Sequence, residues 1–309
     1  MKLGCAFIAG IVLASSVTAA QSRTSVLFIG NSFTYAHASP VRFYRSGTVT
    51  DLNGEGIGGV PALFKSFTRQ AGIDDDVFLE TRGGAGLDFH LAEKLGVIGG
   101  RAWDQVVMHG VSVLDFARPR DPAKLIATSR QMADVLRAHN PNVELYLMAT
   151  WSRADQTYPR EGAWAGQPIE AMARDVRAAY DQAAGAAAVK MVIPVGQAWT
   201  RAMQAGIADP NPYDGIDPGK IDLWAYDHYH ASAYGSYLEA LVIFGALTGR
   251  DPRSLGDSEC SAYELGLDPA KVKALQQVAY DELANAKARV PASLVPPRAG
   301  APGRCADAR

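Results

Sequence analysis

A serine, a histidine and an aspartate in this chain stand where acyl-transfer chemistry would need them. Ser32 closes the segment Gly30-Asn31-Ser32, directly after the apolar run Val26-Leu27-Phe28-Ile29. Much later, Asp227-His228-Tyr229-His230 precedes a long apolar stretch that begins at Ala231. A hydroxyl becomes a good nucleophile when an imidazole takes its proton, and the imidazole works best when a carboxylate fixes its tautomer. Ser32, His230 and Asp227 supply those groups, and no other grouping puts all three types beside predicted strand ends. Each half alone has a plainer reading. Gly-Asn-Ser after a strand is a turn with a serine cap, and an aspartate before a helix is a cap. The joint occurrence carries the signal.

The elements that must position these residues can be read from the apolar pattern. Five β-rich runs recur, at Ser25–Ile29, Val77–Thr81, Gln105–His109, Val143–Ala149 and Met191–Val195. Helical spacing lies between them, over Pro61–Ala71, Pro122–His139 and Pro168–Ala187, and two more helices follow, over Ala231–Leu247 and Pro269–Ala288. Near-continuous apolar strands alternating with helices predict a parallel sheet covered on both faces. The expected architecture is α/β: a three-layer α/β/α sandwich, flavodoxin-like, with a five-stranded parallel sheet. Such sheets carry their functional crevice at the carboxyl ends of the strands. Ser32, Gly83–Gly86, His109–Ser112 and Thr150–Arg153 all fall at or just after those ends.

Composition narrows the partners. Residues 1–20 have a lysine, an apolar run from Cys5 to Leu13 and Thr18-Ala19-Ala20 before Gln21, which reads as a signal peptide. Its removal takes Lys2 and no acid, so the net charge moves from −2 to −3. Near neutrality without a basic block argues against nucleic acid as a partner. Residues 21–289 read as one α/β domain, and 290–309 as a tail rich in Pro and Ala. The expectation is an exported protein, periplasmic or secreted, without stable membrane insertion after cleavage. Cys260 and Cys305 remain as an even pair, which in an oxidising compartment predicts a disulfide. The segments over 36–60, 152–167 and 206–222 read as long loops. No cofactor and no metal are called for.

With its first and last motifs in place, the chain resembles the SGNH or GDSL-like hydrolases, as a divergent branch. Their first block is a strand followed by Gly-Asp-Ser or Gly-Asn-Ser, here Gly30-Asn31-Ser32. Their last is Asp-x-x-His before the C-terminal helix, here Asp227 to His230. The resemblance spans roughly residues 25–247. It implies Ser32 as nucleophile, His230 as base and Asp227 as the acid that orients it. It also implies a glycine N–H in the oxyanion hole, for which the loop Arg82-Gly83-Gly84-Ala85-Gly86 offers Gly84 and Gly86. The third block of such enzymes ends in Gly-x-Asn. This chain has His109-Gly110-Val111-Ser112, so Ser112 or His109 stands in for the asparagine donor, and His109 reads equally as a satisfied histidine within the sheet.

Other candidates are plainer. His228 and His230 form a His-x-His that could ligate a metal, but nothing clusters with it to complete a site. Trp151 at a strand end is a candidate sugar-binding wall or a core residue. Arg153 and Asp155 contact substrate or solvate a loop. The expected activity is hydrolysis of carboxylic esters, acetyl esters on a glycan foremost, by a Ser-His-Asp mechanism. The alternatives are a lipid or thioester hydrolase and a non-catalytic carbohydrate-binding protein on the same scaffold.

Overall fold

The computed structural model describes residues 23–257 and 259–286. The expected signal peptide, the tail over 290–309 and Cys305, hence the expected Cys260–Cys305 bridge, lie outside the described residues. Six parallel strands form one sheet: β1 Ser25–Gly30, β2 Thr50–Asp51, β3 Asp76–Thr81, β4 Gln105–Met108, β5 Glu144–Met148 and β6 Met191–Ile193. Their order is β2-β3-β1-β4-β5-β6. The helices described, in chain order, are α1 Gly59–Gln70, α2 Leu87–Glu93, α3 Leu95–Ile98, α4 Ala123–His139, α5 Ala154–Thr157, α6 Glu170–Ala187, α7 Val195–Gln204, α8 Ala233–Thr248, α9 Cys260–Glu264 and α10 Pro269–Asn285.

Side chains alternate across the strands, and both sides are buried. Val26, Phe28, Val107, Tyr146 and Met148 enter the core under α1, α7, α8 and α10. Leu27, Ile29, Val106, Met108, Leu145 and Leu147 enter the core under α2, α4 and α6. A strand covered on both faces needs apolar residues at every position, which is why these runs read as continuous. Helix α8 is apolar all round because it packs between α1 and α10. Each fully buried Leu, Ile or Phe in it contributes about 1.5–3 kcal/mol. Its start is fixed by Ser232, whose Oγ accepts the Gly235 N–H at 3.2 Å and donates to the Asp222 carbonyl at 2.8 Å.

Several elements depart from expectation: α2, α3, α5, α7 and α9 were not among the expected helices, and the sheet gains a strand. The sheet has six strands, not five, because β2 joins the edge of β3 at Thr50↔Phe78 and Asp51↔Leu79. Two residues carry no periodicity to read. The strand is held by its loop, where Asp51 Oδ2 accepts the Glu55 and Ile57 N–H groups at 2.9 and 3.1 Å. The strand expected over Met191–Val195 ends at Ile193, before Pro194, and helix α7 follows where no helix was expected. The proline precedes the first helical residue. Gly196 lets α7 approach β5, since a Cβ there would lie 2.3 Å from the Thr150 carbonyl oxygen.

Candidate active site

The carboxyl ends of β3, β1, β4 and β5 are neighbours, so the loops that follow them share one edge of the sheet. Ser32 lies in the turn after β1 and is buried. The turn is tight: the Tyr35, Ala36 and His37 N–H groups donate to the Asn31, Phe33 and Ser32 carbonyls at 3.1, 3.1 and 2.9 Å. Asn31 joins this turn to its neighbours. Its Oδ1 accepts the Phe33 N–H at 3.1 Å, while Nδ2 donates to the Ala85 carbonyl at 2.9 Å and the Gly110 carbonyl at 3.3 Å. One amide therefore ties the Ser32 turn to the glycine loop after β3 and to the loop after β4.

Asp227 and His230 form a preorganised pair. Asp227 Oδ1 accepts the Tyr229 and His230 N–H groups at 3.1 and 2.9 Å, and Oδ2 lies 2.6 Å from His230 Nδ1. Burial alone would push the Asp227 carboxyl up. The His230 ring and these two backbone donors outweigh that and hold it below the usual carboxylate value. A carboxylate can only accept, so Nδ1 carries the imidazole proton and Nε2 keeps its lone pair. Burial lowers the His230 pKa, Asp227 opposes the shift, and the charges of His37 and Arg153 add to it. The imidazole is thus held neutral and ready to accept a proton at physiological pH.

Phe33, adjacent to Ser32, meets the His230 ring edge-on at 5.8 Å, and the His37 ring meets it at 4.6 Å. The Ser32 turn and His230 therefore share one small volume. His230 Nε2 is buried and has no hydrogen-bond partner, so the Ser32 hydroxyl is not bonded to it in this structure. Such bonds are often looser before substrate arrives.

Arg153, after β5, is buried and held on several sides. Its Nε donates to Asp155 Oδ1 at 2.9 Å, its Nη1 to Ser112 Oγ at 3.2 Å, and its guanidinium carbon lies 3.4 Å from the Tyr229 ring centroid. Arg153 and Asp155 thus pair with each other rather than solvate a loop. Because Ser112 Oγ accepts from a cation, its own proton is left to point elsewhere. Gly84 is exposed with φ 70°, a turn conformation that favours glycine. Gly86 is buried and precedes α2. A cavity of about 370 Å³ opens beside this loop, with Leu87, Val111, Leu114, Phe116 and Leu125 in its wall.

No family model matches the chain, and no curated protein matches it in sequence. Solved structures do match its fold. A DUF4886 family protein from Bacteroides uniformis is 19% identical with a TM-score of 0.60, over 85% of this chain and 95% of that one. A protein from Slackia heliotrinireducens described as an SGNH hydrolase is 20% identical with a TM-score of 0.50, over 73% of this chain and 100% of that one. A GDSL-like lipase from Parabacteroides merdae is 14% identical with a TM-score of 0.51, over 74% and 97%. The fold is that of the SGNH hydrolases.

Within this SGNH fold, two expected site residues take other roles. His109 is not available as an oxyanion donor. Its Nδ1 lies 2.9 Å from the Gly110 carbonyl, which can only accept, so Nδ1 holds the proton. Nε2 is then an acceptor and takes the Thr34 hydroxyl at 2.8 Å. Burial also drives its pKa down to about 4. Trp151 is no sugar-binding wall. It is fully buried, stacked between Phe33 at 4.1 Å and Trp199 at 4.5 Å, with Nε1 donating to the Tyr229 carbonyl at 3.2 Å. His228 turns away on a left-handed backbone, φ 54°, and packs against Tyr213 at 4.4 Å. Among the described residues no group of three or more His, Cys, Asp or Glu side chains is placed to hold a metal ion.

Sequence reasoning missed two features of the SGNH edge. His90 Nε2 donates to the Gly30 carbonyl at 2.9 Å, and its Nδ1 pairs with Glu80, both side chains being fully buried. Acid and imidazole come from β3 and α2, and ten residues of separation gave no sign that they meet. His37 was passed over inside a long loop, although five residues after a candidate nucleophile is close enough to prompt the question.

Proposed function

We propose that this chain is a serine esterase that hydrolyses carboxylic esters, with acetyl esters on carbohydrate as the first substrate class. One observation carries the reading: an imidazole whose Nδ1 proton is locked by Asp227 keeps a bare Nε2 beside the Ser32 turn. In this mechanism Ser32 Oγ attacks the ester carbonyl while His230 Nε2 takes its proton. Asp227 stabilises the imidazolium that forms. The Ser32 and Gly86 N–H groups and the Ser112 hydroxyl hold the oxyanion, and Arg153 polarises Ser112 from behind. His230 returns the proton to the leaving alcohol, and water then repeats the sequence on the acyl-serine. Hydrolysis of p-nitrophenyl acetate by the wild type and its loss in Ser32→Ala test the reading. Full activity in Ser32→Ala would overturn it.

A second reading, esters of longer acyl groups, draws on the apolar wall that Leu87, Val111, Leu114 and Leu125 give the cavity beside the glycine loop. A series of p-nitrophenyl esters from acetate to octanoate separates the two by which chain length gives the highest kcat/KM. A purely carbohydrate-binding role finds less support, since Trp151 has no free face. Export on residues 1–20 and a Cys260–Cys305 bridge belong to the same proposal. Among the described residues no helix is long and apolar enough to cross a membrane. Thiol titration of the unfolded, unreduced mature protein is expected to find no free thiol, and two per chain would remove the bridge.

A further inference from the structure

His37 occupies an unusual position for a loop residue. The alanines on either side, Ala36 and Ala38, adopt φ 56° and 61°, left-handed values that L-alanine avoids. Strain of this kind persists only where the surroundings impose it, and it gathers at functional sites. Here the loop is clamped from behind. The Val60 N–H donates to the Thr34 carbonyl at 3.0 Å, and a Cβ on Gly59 would lie 2.6 Å from that same oxygen. The clamped loop presents the His37 ring to His230 at 4.6 Å and 61°. Its Nδ1 is buried without a hydrogen-bond partner, and so is His230 Nε2. Buried polar atoms are normally satisfied, and two unsatisfied nitrogens on touching rings mark a place that a ligand's polar atoms complete.

We propose that His37 is a catalytic residue that hydrogen-bonds the alcohol oxygen of the substrate ester as it leaves. The inference rests on the serine-esterase reading above. His230 Nε2 must deliver its proton to that oxygen, so the oxygen has to come to the patch these two rings share. The oxyanion donors lie elsewhere, on the loops that Asn31 gathers. In the step concerned, the bond between the acyl carbon and the alkyl oxygen breaks and its electron pair stays on that oxygen. The proton comes from His230 Nε2. His37 gives a hydrogen bond and no proton, and the acyl group remains on Ser32 Oγ. The substrates that gain are those with poor, strongly basic leaving groups, such as alkyl and sugar alcohols.

The test is the dependence of kcat/KM on the pKa of the leaving alcohol, over aryl and alkyl acetates from p-nitrophenyl to ethyl acetate. His37→Phe keeps the ring without the nitrogens, and His37→Gln keeps a donor. In His37→Phe, alkyl acetates are expected to lose roughly tenfold to a hundredfold. The plot against leaving-group pKa steepens, because aryl acetates lose less, and His37→Gln recovers part of the loss. Equal losses across the series, or none, would overturn the proposal, and if His37→Phe fails to fold, His37→Ala, which also lacks the donor, carries the same plot. A wild type that cleaves no ester in the series removes the esterase reading and this one with it. A wild type active on all of them with an unchanged slope in both variants removes only the role of His37.

Discussion

The same sheet edge carries two carboxylate–imidazole pairs. Asp227–His230 and Glu80–His90 each set an acid against a histidine Nδ1. The second is sealed, with both side chains 0% exposed, whereas Asp227 and His230 are 26% and 9% exposed. Exposure is the lesser difference. His90 Nε2 is committed to the Gly30 carbonyl and its Nδ1 faces Glu80, so that ring is held on both sides and acts as a strut under the Ser32 turn. His230 Nε2 is committed to nothing. His109, both of whose nitrogens are engaged, belongs with His90, and His37 belongs with His230. What separates His230 from His90 on this edge is the unengaged Nε2 rather than the neighbouring carboxylate.

The largest expected effect would break that comparison outright. His230→Ala should lower kcat by roughly 10⁴-fold or more while thermal unfolding changes little. His90→Ala takes the imidazole from a buried carboxylate that Asn53 and Lys94 still contact, and should destabilise by roughly 1–3 kcal/mol while the folded fraction keeps kcat within about tenfold. Denaturant titration and active-site-normalised rates separate the two, and the distinction collapses if both variants lose activity alike. Asp227→Asn should resemble His230→Ala, because an amide there permits the wrong tautomer.

A smaller effect tests the cation behind Ser112. Ser112→Ala should lower kcat by roughly tenfold to a thousandfold with less change in KM. Arg153→Met should reproduce part of that loss. If Arg153 acts through Ser112, the double variant loses little more than Ser112→Ala, and additive losses would detach the two. The smallest effect is on pH. His230 must be neutral to accept the serine proton, so kcat/KM should rise with pH through one limb with an inflection below about 6.5. Removing the positive charge of Arg153 relieves its repulsion of the imidazolium, so Arg153→Met should move that limb upward. His109, held to about 4, should add no limb above pH 5.

The contrast between the pairs also explains what was legible in the sequence. The strands β1, β3, β4, β5 and β6 announced themselves because burial on both faces demands unbroken apolar runs. The two residues of β2 and the proline-led start of α7 carried no such pattern. Asp227 and His230 could be matched because they are three residues apart and sit before an evident helix. The Glu80–His90 pair could not, since only the packing of α2 against β1 and α4 brings it together. Ser112 was singled out by its place in a block, but the guanidinium that donates to it arrives from the loop after the next strand. Trp151 and His109 were left open between two readings for one reason: residue type and strand position do not say whether a ring faces the crevice or the core.

Phe33, Trp151, Trp199 and Trp224 form a continuous aromatic column, with ring centroids 4.1, 4.5 and 5.6 Å apart. It starts at Phe33, next to Ser32, and ends at Trp224, whose Nε1 donates to the Ser152 carbonyl at 2.9 Å. Rings this close couple electronically, so their near-ultraviolet dichroism and emission register small rotations of Phe33. The fold therefore contains its own optical gauge, through which a stopped-flow instrument can look for the acylation proposed at Ser32 without any added label.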